Sequence, residues 1–183
     1  MKRTLFFLIA ACLFVSCGKK QGGIKLDNPY DADTLSTLSY ELPTSSTEEV
    51  VVPFHRLNNS MIVDVRINGE ITKEMVFDTG ADLTQITKAE AQYLYDKGVL
   101  KNEDVKGFEN FGDANGTITK NMIVTLRSVI LMGKDCGIEI PNVDACVVDN
   151  AMAPLLLGQT AYKSLKYTVD NANNQITFDL KDL

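Results

Sequence analysis

The sequence predicts a mainly β domain that closes into a small barrel, with one or two short helices. Three observations support this. Short apolar runs alternate with polar positions, turn signals separate these runs at close intervals, and a single stretch, residues 89–97, is composed of good helix formers. Many short strands with frequent turns are typical of barrels and sandwiches. The expected barrel occupies residues 48–183, which is the size of one domain.

The first strands follow from alternation and turn chemistry. Residues 50–52 begin one strand, residues 60–68 alternate in a second, and residues 71–77 return as its partner after Asn68-Gly69. Asn-Gly between alternating runs is a strong hairpin signal. The predicted hairpin therefore leads directly into residue 78.

A helix and a second hairpin come next. Thr87-Lys88-Ala89-Glu90 has the capping-box form and predicts a helix over residues 89–97 that stops at Gly98. Asn115-Gly116 predicts another hairpin, with residues 108–114 and 117–131 as its arms. The remaining predicted elements are strands at 137–140 and 143–148 around Pro141-Asn142, a short buried strand at 155–157, a helical turn or two at 160–165, and a closing hairpin of 166–169 and 175–180.

Residues 1–16 have the form of a secretory signal peptide. Two basic residues precede an apolar run of 11 residues, Leu5–Val15, which is shorter than the roughly 20 apolar residues that span a bilayer. Phe14-Val15-Ser16-Cys17 resembles the bacterial lipobox, in which the cysteine becomes the lipidated first residue. An ordinary signal peptide with an incidental cysteine is the alternative.

Residues 17–47 are predicted to be a lipidated Cys17 and a flexible tether, because they are rich in Gly, Pro, Ser and Thr and poor in periodic apolar positions. Two or more acyl chains give stable membrane binding. Since Gly18 does not resemble an inner-membrane retention signal, we expect a lipid anchor in the outer membrane of the cell envelope, facing the periplasm.

Charge and cysteine content exclude some functions. Loss of residues 1–16 moves the net charge from −6 to −8, and an acidic chain without a basic cluster does not bind nucleic acid. Cys136 and Cys146 remain in an oxidising compartment, where a disulfide and two buried thiols both fit. The single histidine, His55, is predicted to lie in a loop and has no partner spacing for a metal site.

The segment Met75–Asp82 carries the candidate chemistry. An apolar strand runs directly into Asp78, Gly80 permits close backbone approach, and Thr79 can hydrogen-bond a facing loop. These features predict a carboxylate held at a buried strand end. A plain turn after a strand is the alternative for an isolated Asp-Thr-Gly.

With its neighbours, this segment resembles the active-site loop of the retropepsin-like aspartic proteases, whose signature is hydrophobic-hydrophobic-Asp-Thr-Gly-Ala. Phe111–Thr117 resembles their flap hairpin, and Leu155–Gly158 followed by Leu165 resembles the strand beside their active-site loop. The resemblance covers roughly residues 60–180 and is strongest to bacterial single-lobe members. It implies a single-lobe acid-protease barrel with a flap hairpin.

The resemblance also implies a membrane-anchored aspartic endopeptidase that acts on a peptide or protein substrate. Asp78, Thr79 and Gly80 would form the catalytic loop. The substrate would contact Ala81, Asp82, Asp113, Ala114, Asn115 and Gly116. No cofactor and no metal is expected, because an ionised Asp activates water while its protonated mate polarises the scissile carbonyl.

The chain has one Asp-Thr-Gly, and neither Asp113-Ala114 nor Asp170-Asn171 supplies a second loop. An active enzyme is therefore expected to be a homodimer that pairs through its active-site face. The alternatives are a non-catalytic peptide-binding module on the same fold and a structural envelope lipoprotein.

The sequence departs from the viral members of the family at one position. Those members have an Arg where this chain has Gln159, and that Arg pairs with the acid that corresponds to Asp82.

Overall fold

The computed structural model describes residues 48–112 and 118–181. The predicted signal peptide, Cys17 and the predicted tether lie outside these residues. The strands are β1 Glu49–Pro53, β2 His55–Leu57, β3 Ser60–Ile67, β4 Ile71–Phe77, β5 Thr84–Thr87, β6 Val105–Gly112, β7 Ile118–Leu131, β8 Ile138–Val148, β9 Leu156–Leu157, β10 Lys166–Asp170 and β11 Gln175–Asp179. The helices are α1 Lys88–Asp96 and α2 Gln159–Tyr162, with a 3-10 turn at Asn102–Asp104.

Six strands of the described chain form a closed ring in the order β3-β4-β9-β5-β8-β7. The ring closes because β7 also pairs with β3, with Val65 opposite Leu131 and Ile67 opposite Val129. These four side chains are inaccessible to solvent, and burial of such aliphatic groups is the main force that holds a barrel of this size together. The predicted closed β-barrel is confirmed.

The β3–β4 hairpin forms where the sequence predicts it. Asn68 and Gly69 have φ values of 48° and 73°, the positive region that glycine and asparagine adopt at least cost. The Asn68 side chain also ties the turn to its surroundings, because its amide donates to the Val99 carbonyl (2.9 Å) and its oxygen accepts from the Ser128 amide (3.1 Å). The turn therefore fixes the register of β4, which ends at Phe77.

The capping box is present at the start of α1. The Ala89 amide donates to the Thr87 hydroxyl (3.2 Å), and the Thr87 amide donates to the Glu90 carboxylate (3.1 Å). After the helix, Gly98 has a φ of 73°, as a glycine stop requires. The predicted helix is confirmed, one residue earlier at each end than expected.

The predicted flap arms are strands. β6 and β7 pair antiparallel from Val105 opposite Val124 to Gly112 opposite Ile118. The predicted tip, with Asp113 to Gly116, lies outside the described residues. The position of the tip relative to Asp78 therefore stays a prediction.

Several sequence-based expectations were wrong in detail. The predicted break at Pro141-Asn142 is absent, because Asn142 takes a φ of 56° and the register of β8 with β7 is the same on both sides. His55 lies in β2 rather than in a loop, with its Nε2 3.7 Å from the Glu74 carboxylate. Neither β2 nor β5 was predicted, since both lack apolar alternation.

The two cysteines of the described chain are free thiols. Cys136 is partly accessible, and Cys146 is buried. The structure therefore has no disulfide between them, and of the two buried thiols that the sequence left as the alternative, only Cys146 is buried. Neither helix of the described residues combines the length and the apolar character that a membrane-spanning helix needs.

A second sheet joins the two ends of the described chain in the order β1-β11-β10. It packs against the end of β4 through an aromatic cluster. The Phe77 ring contacts the rings of Tyr162, Tyr167 and Phe178 at centroid distances of 4.4, 5.4 and 6.4 Å. Because β11 pairs with a strand on each side, both of its edges are already used within the chain.

Candidate active site

Asp78 lies at the point where β4 leaves the sheet. Phe77 before it is buried and pairs with Leu157 of β9, and the Asp78 amide donates to the Leu157 carbonyl (3.1 Å). As a residue, Asp78 is half-buried. Its Oδ1 accepts a hydrogen bond from the Gly80 amide at 2.9 Å. The side chain is therefore held at a strand end, as the sequence predicts.

Glycine suits position 80 because a side chain there would crowd the Asp78 carboxylate, not because the backbone is strained. A Cβ atom at this position would lie 3.3 Å from Asp78 Oδ1, closer than an unstrained contact. Thr79 and Gly80 are both exposed, so the top of the loop faces outward. A partner surface can therefore reach this part of the loop.

The backbone carbonyls of the loop are held by the segment that begins α2. The side-chain amide of Gln159 donates to the Thr79 carbonyl (2.9 Å), and the backbone amide of Gln159 donates to the Ala81 carbonyl (2.9 Å). The Thr160 amide donates to the Asp82 carbonyl (3.0 Å). Buried or semi-buried backbone groups need such partners, and here they also fix the loop in space.

Tyr162 completes this set of donors. Its hydroxyl donates to the Asp78 carbonyl at 2.8 Å, while its ring stacks on Phe77. Burial, and then the neighbouring Tyr167 and Asp78, raise the pKa of Tyr162 to about 12. The phenol therefore keeps its proton, and remains a donor, at any pH where the protein would work.

No sequence signal indicates this role for Tyr162, because it depends on how α2 is turned toward β4. Gln159 stands where the viral pattern has an Arg. Its side chain donates to a backbone carbonyl of the Asp78 loop, a contact that no sequence motif predicts.

A close approach between β5 and β9 supports the loop from below. The Thr84 amide donates to the Thr160 hydroxyl (3.0 Å), which donates in turn to the Asp144 carbonyl (2.9 Å). Gly158 directly follows β9 and lies so near the start of β5 that an added Cβ would be 2.2 Å from the Leu83 carbonyl oxygen. Close packing against the backbone of Leu83 therefore explains why the predicted Leu-Gly element has a glycine at this position.

Asp82 is exposed. Within residues 48–112 and 118–181 its carboxylate has no hydrogen-bond or ion-pair partner. The expected loss of the viral Arg–Asp pair is therefore matched by a carboxylate that has no partner among the described residues. Asp78, Thr79, Gly80, Ala81 and Asp82 lie together on one loop, whereas Asp113 to Gly116 are outside the described residues.

Two of the cavities that this loop lines in the described part of the chain include Asp78 or Asp82. The first, of about 340 Å³, includes Asp78, Thr79, Arg56, Met61 and Asn171 in its lining. Asp78 is the single acid among the described residues that line it. Arg56 is tied at its rim, donating to the Asn171 side chain at 2.6 Å.

The second cavity, of about 360 Å³, lies between the loop and the arms of the hairpin. We name it the flap cavity. Its lining includes Ala81 and Asp82 from the loop, and Phe111, Gly112 and Thr119 from β6 and β7. The predicted flap arms therefore enclose space next to the loop that carries Asp78.

Together, the closed barrel, the Asp-Thr-Gly loop at the end of β4 and the hairpin beside it define a retropepsin-like lobe. The family model described as gag-polyprotein putative aspartyl protease matches residues 63–164, from β3 through α2. The chain therefore belongs to this family of retropepsin-like aspartic proteases.

Solved structures agree on the fold. One similar structure is that of a retropepsin-like aspartic protease from Rickettsia conorii, with a TM-score of 0.52 and 23% sequence identity. The match covers 72% of this chain and 89% of that one. No curated protein matches the chain at a significant level.

Proposed function

We propose that the chain is a membrane-anchored aspartic endopeptidase that acts as a homodimer. The observation that carries this proposal is the fixed position of the loop that holds Asp78. A family-matched Asp-Thr-Gly loop presents its carboxylate at the end of a buried strand, and four neighbouring carbonyls of that loop are tied to α2 or the residues beginning it. Such fixed geometry is what positions a catalytic group before substrate arrives.

The chemistry requires two carboxylates. Two Asp side chains about 3 Å apart cannot both ionise, so their titrations separate. The ionised member takes a proton from water, which attacks the scissile carbonyl, and the protonated member donates to the carbonyl oxygen. The described lining around Asp78 offers no second acid, which is why the proposal includes a second copy of the chain.

The site of pairing follows from the exposed loop. Thr79 and Gly80 face outward and can meet their two-fold mates, which would bring the two Asp78 side chains together. β11 has no free edge for a partner strand, so a terminal sheet shared through β11, like that of the viral dimers, is not part of the proposal.

Peptide hydrolysis tests the function directly. The mature chain, in detergent, is incubated with a mixture of unstructured peptides, and mass spectrometry identifies the products at each pH from 3 to 8. We expect cleavage at internal bonds that is faster at acidic pH, because one carboxylate of the pair must keep its proton. Chelators should not slow it.

A chain that stays monomeric, never pairs its Asp78 side chains and cleaves none of the peptides over this pH range would contradict the enzyme. In that case the non-catalytic peptide-binding module becomes the better reading of the same two cavities. That alternative predicts that the peptides bind and are recovered intact.

The anchor is proposed from the Phe14-Val15-Ser16-Cys17 motif. Mass spectrometry of the mature protein should find Cys17 at the N-terminus, carrying a diacylglycerol and an acyl chain, and fractionation should place the protein in the outer membrane, facing the periplasm. Cys17→Ala should abolish the lipid and release or strand the precursor. The matched control is Cys12→Ala, inside the predicted signal peptide. A free α-amino group on any other mature first residue would contradict the anchor.

A further inference from the structure

The lining of the flap cavity combines apolar and polar side chains. Leu83, Val148 and Leu156 supply aliphatic surface, while Asp82, Gln85 and Asn121 supply polar atoms. A long side chain with an apolar stem and a polar end would satisfy both parts of such a cavity. The polar atoms of the lining that can still bond a ligand determine which chemical group is favoured at the polar end of that side chain.

Each of the two amides in the lining already donates a hydrogen bond within the chain. The Gln85 amide nitrogen donates to the Pro154 carbonyl at 2.9 Å. The Asn121 amide nitrogen donates to the Thr119 hydroxyl at 3.3 Å, and its side chain also hydrogen-bonds Cys146. The oxygens of both amides can only accept, so they can receive a hydrogen bond from a ligand.

The charges in the cavity have one sign. The Asp82 carboxylate has no partner in the described part of the chain, and the described lining contains no Lys, Arg or His. Lys120 lies between two lining residues, but its Nζ is 5.5 Å from the centre of the Phe108 ring. Burial, opposed by a hydrogen bond with Asn121, raises the pKa of the Cys146 thiol, so the thiol is neutral and adds no charge.

We propose that the flap cavity binds a basic side chain of the substrate, lysine or arginine, and that Asp82 determines this specificity. The inference rests on the proposed function. The aliphatic stem packs on Leu83 and Leu156, and the cationic end donates to the Asp82 carboxylate and to the amide oxygens of the lining. Charge-assisted hydrogen bonds of this kind are stronger than neutral ones.

The test uses peptides that differ at one position. Each position of a cleaved peptide is replaced in turn by lysine, by its neutral analogue norleucine and by glutamate. The same positions are also replaced by arginine and by citrulline, which has the shape of arginine without its charge. At one position we expect kcat/KM for lysine and arginine to exceed that for the neutral analogues by about tenfold, mainly through a lower KM. Glutamate should be the poorest.

Asp82→Asn should remove the preference for the charged member of each pair. Asp82→Lys should reverse it toward glutamate. The matched control is Glu70→Gln, which changes the net charge equally but lies in the turn at the opposite end of β4, and it should keep the preference. Because the Asp82 side chain is exposed, these variants are expected to fold, and thermal unfolding confirms that they do.

Binding separates this inference from the proposed function. Fluorescence anisotropy with the Asp78→Asn chain measures affinity for the same peptides without cleavage. Selective binding of basic peptides that Asp82→Asn abolishes supports the inference even if the wild-type chain hydrolyses nothing. Equal affinity for lysine and norleucine peptides at every position overturns it, whether or not hydrolysis occurs. Loss of dimer on sedimentation of Asp82→Asn, with selectivity unchanged, also overturns it and assigns Asp82 to the contact between copies.

Discussion

Replacing Asp78 with asparagine is expected to abolish peptide hydrolysis while the domain stays folded. The amide has nearly the same shape, and its oxygen can still accept the hydrogen bond from the Gly80 amide. It cannot take a proton from water, and loss of a general base lowers rates by about 10²–10⁴-fold. We expect kcat/KM to fall by at least about 10³-fold, with thermal unfolding close to that of the wild type.

Mixing the two chains tests whether catalysis is shared. An excess of Asp78→Asn chains should suppress wild-type activity, because mixed dimers carry one competent carboxylate. An excess of Asp135→Asn chains is the matched control and should not, since Asp135 precedes β8 and lines neither cavity. A rate that simply follows the amount of wild-type chain would mean that each chain acts alone or that a contaminant cleaves the peptide.

Adding one methyl group at Gly158 is expected to destabilise the fold severely. The Cβ of alanine would lie 2.2 Å from the Leu83 carbonyl oxygen and 2.8 Å from the Thr84 amide nitrogen. Both are backbone atoms, so β5 and β9 must separate, which also strains the contacts between Gln159 and the loop that carries Asp78. We expect Gly158→Ala to lower the free energy of unfolding by about 3 kcal/mol or more, measured by urea denaturation.

Gly112→Ala is the matched control for that measurement. It adds the same methyl group and restricts the unfolded chain equally, but a Cβ at residue 112 meets nothing within 4 Å. Its free energy of unfolding should change by less than about 1 kcal/mol. If Gly158→Ala were as stable as Gly112→Ala, the close approach of the two strands would be wrong.

Much of the barrel was predictable because its signals are local. The turn at Asn68-Gly69, the cap at Thr87 and the hairpin arms each depend on a few adjacent residues. β5 was missed because its sequence, Thr-Gln-Ile-Thr, shows no apolar alternation, and it becomes a strand only through its neighbours β8 and β9. Pro141 predicted a break that tertiary pairing with β7 overrides.

The candidate site divides in the same way. Asp78 to Asp82 are contiguous, so one motif finds all five residues. The donors that hold them, Gln159 and Tyr162, lie some 80 residues away and have no motif of their own. Their roles depend on the direction of α2, which sequence spacing does not specify. For the same reason, the acceptor-rich lining of the flap cavity could not be foreseen.

The pairing of the first and last strands has a consequence for the order of folding. Glu49 pairs with Asp179, so this contact closes a loop as long as nearly the whole domain, and contacts of such long sequence separation form late. Phe77, which precedes Asp78, packs on Tyr167 and Phe178, and these belong to β10 and β11. The floor of the Asp78 loop is therefore incomplete until both strands have been synthesised. Under the proposed function, the chain becomes a competent protease only after β10 and β11 have been made and have paired with β1.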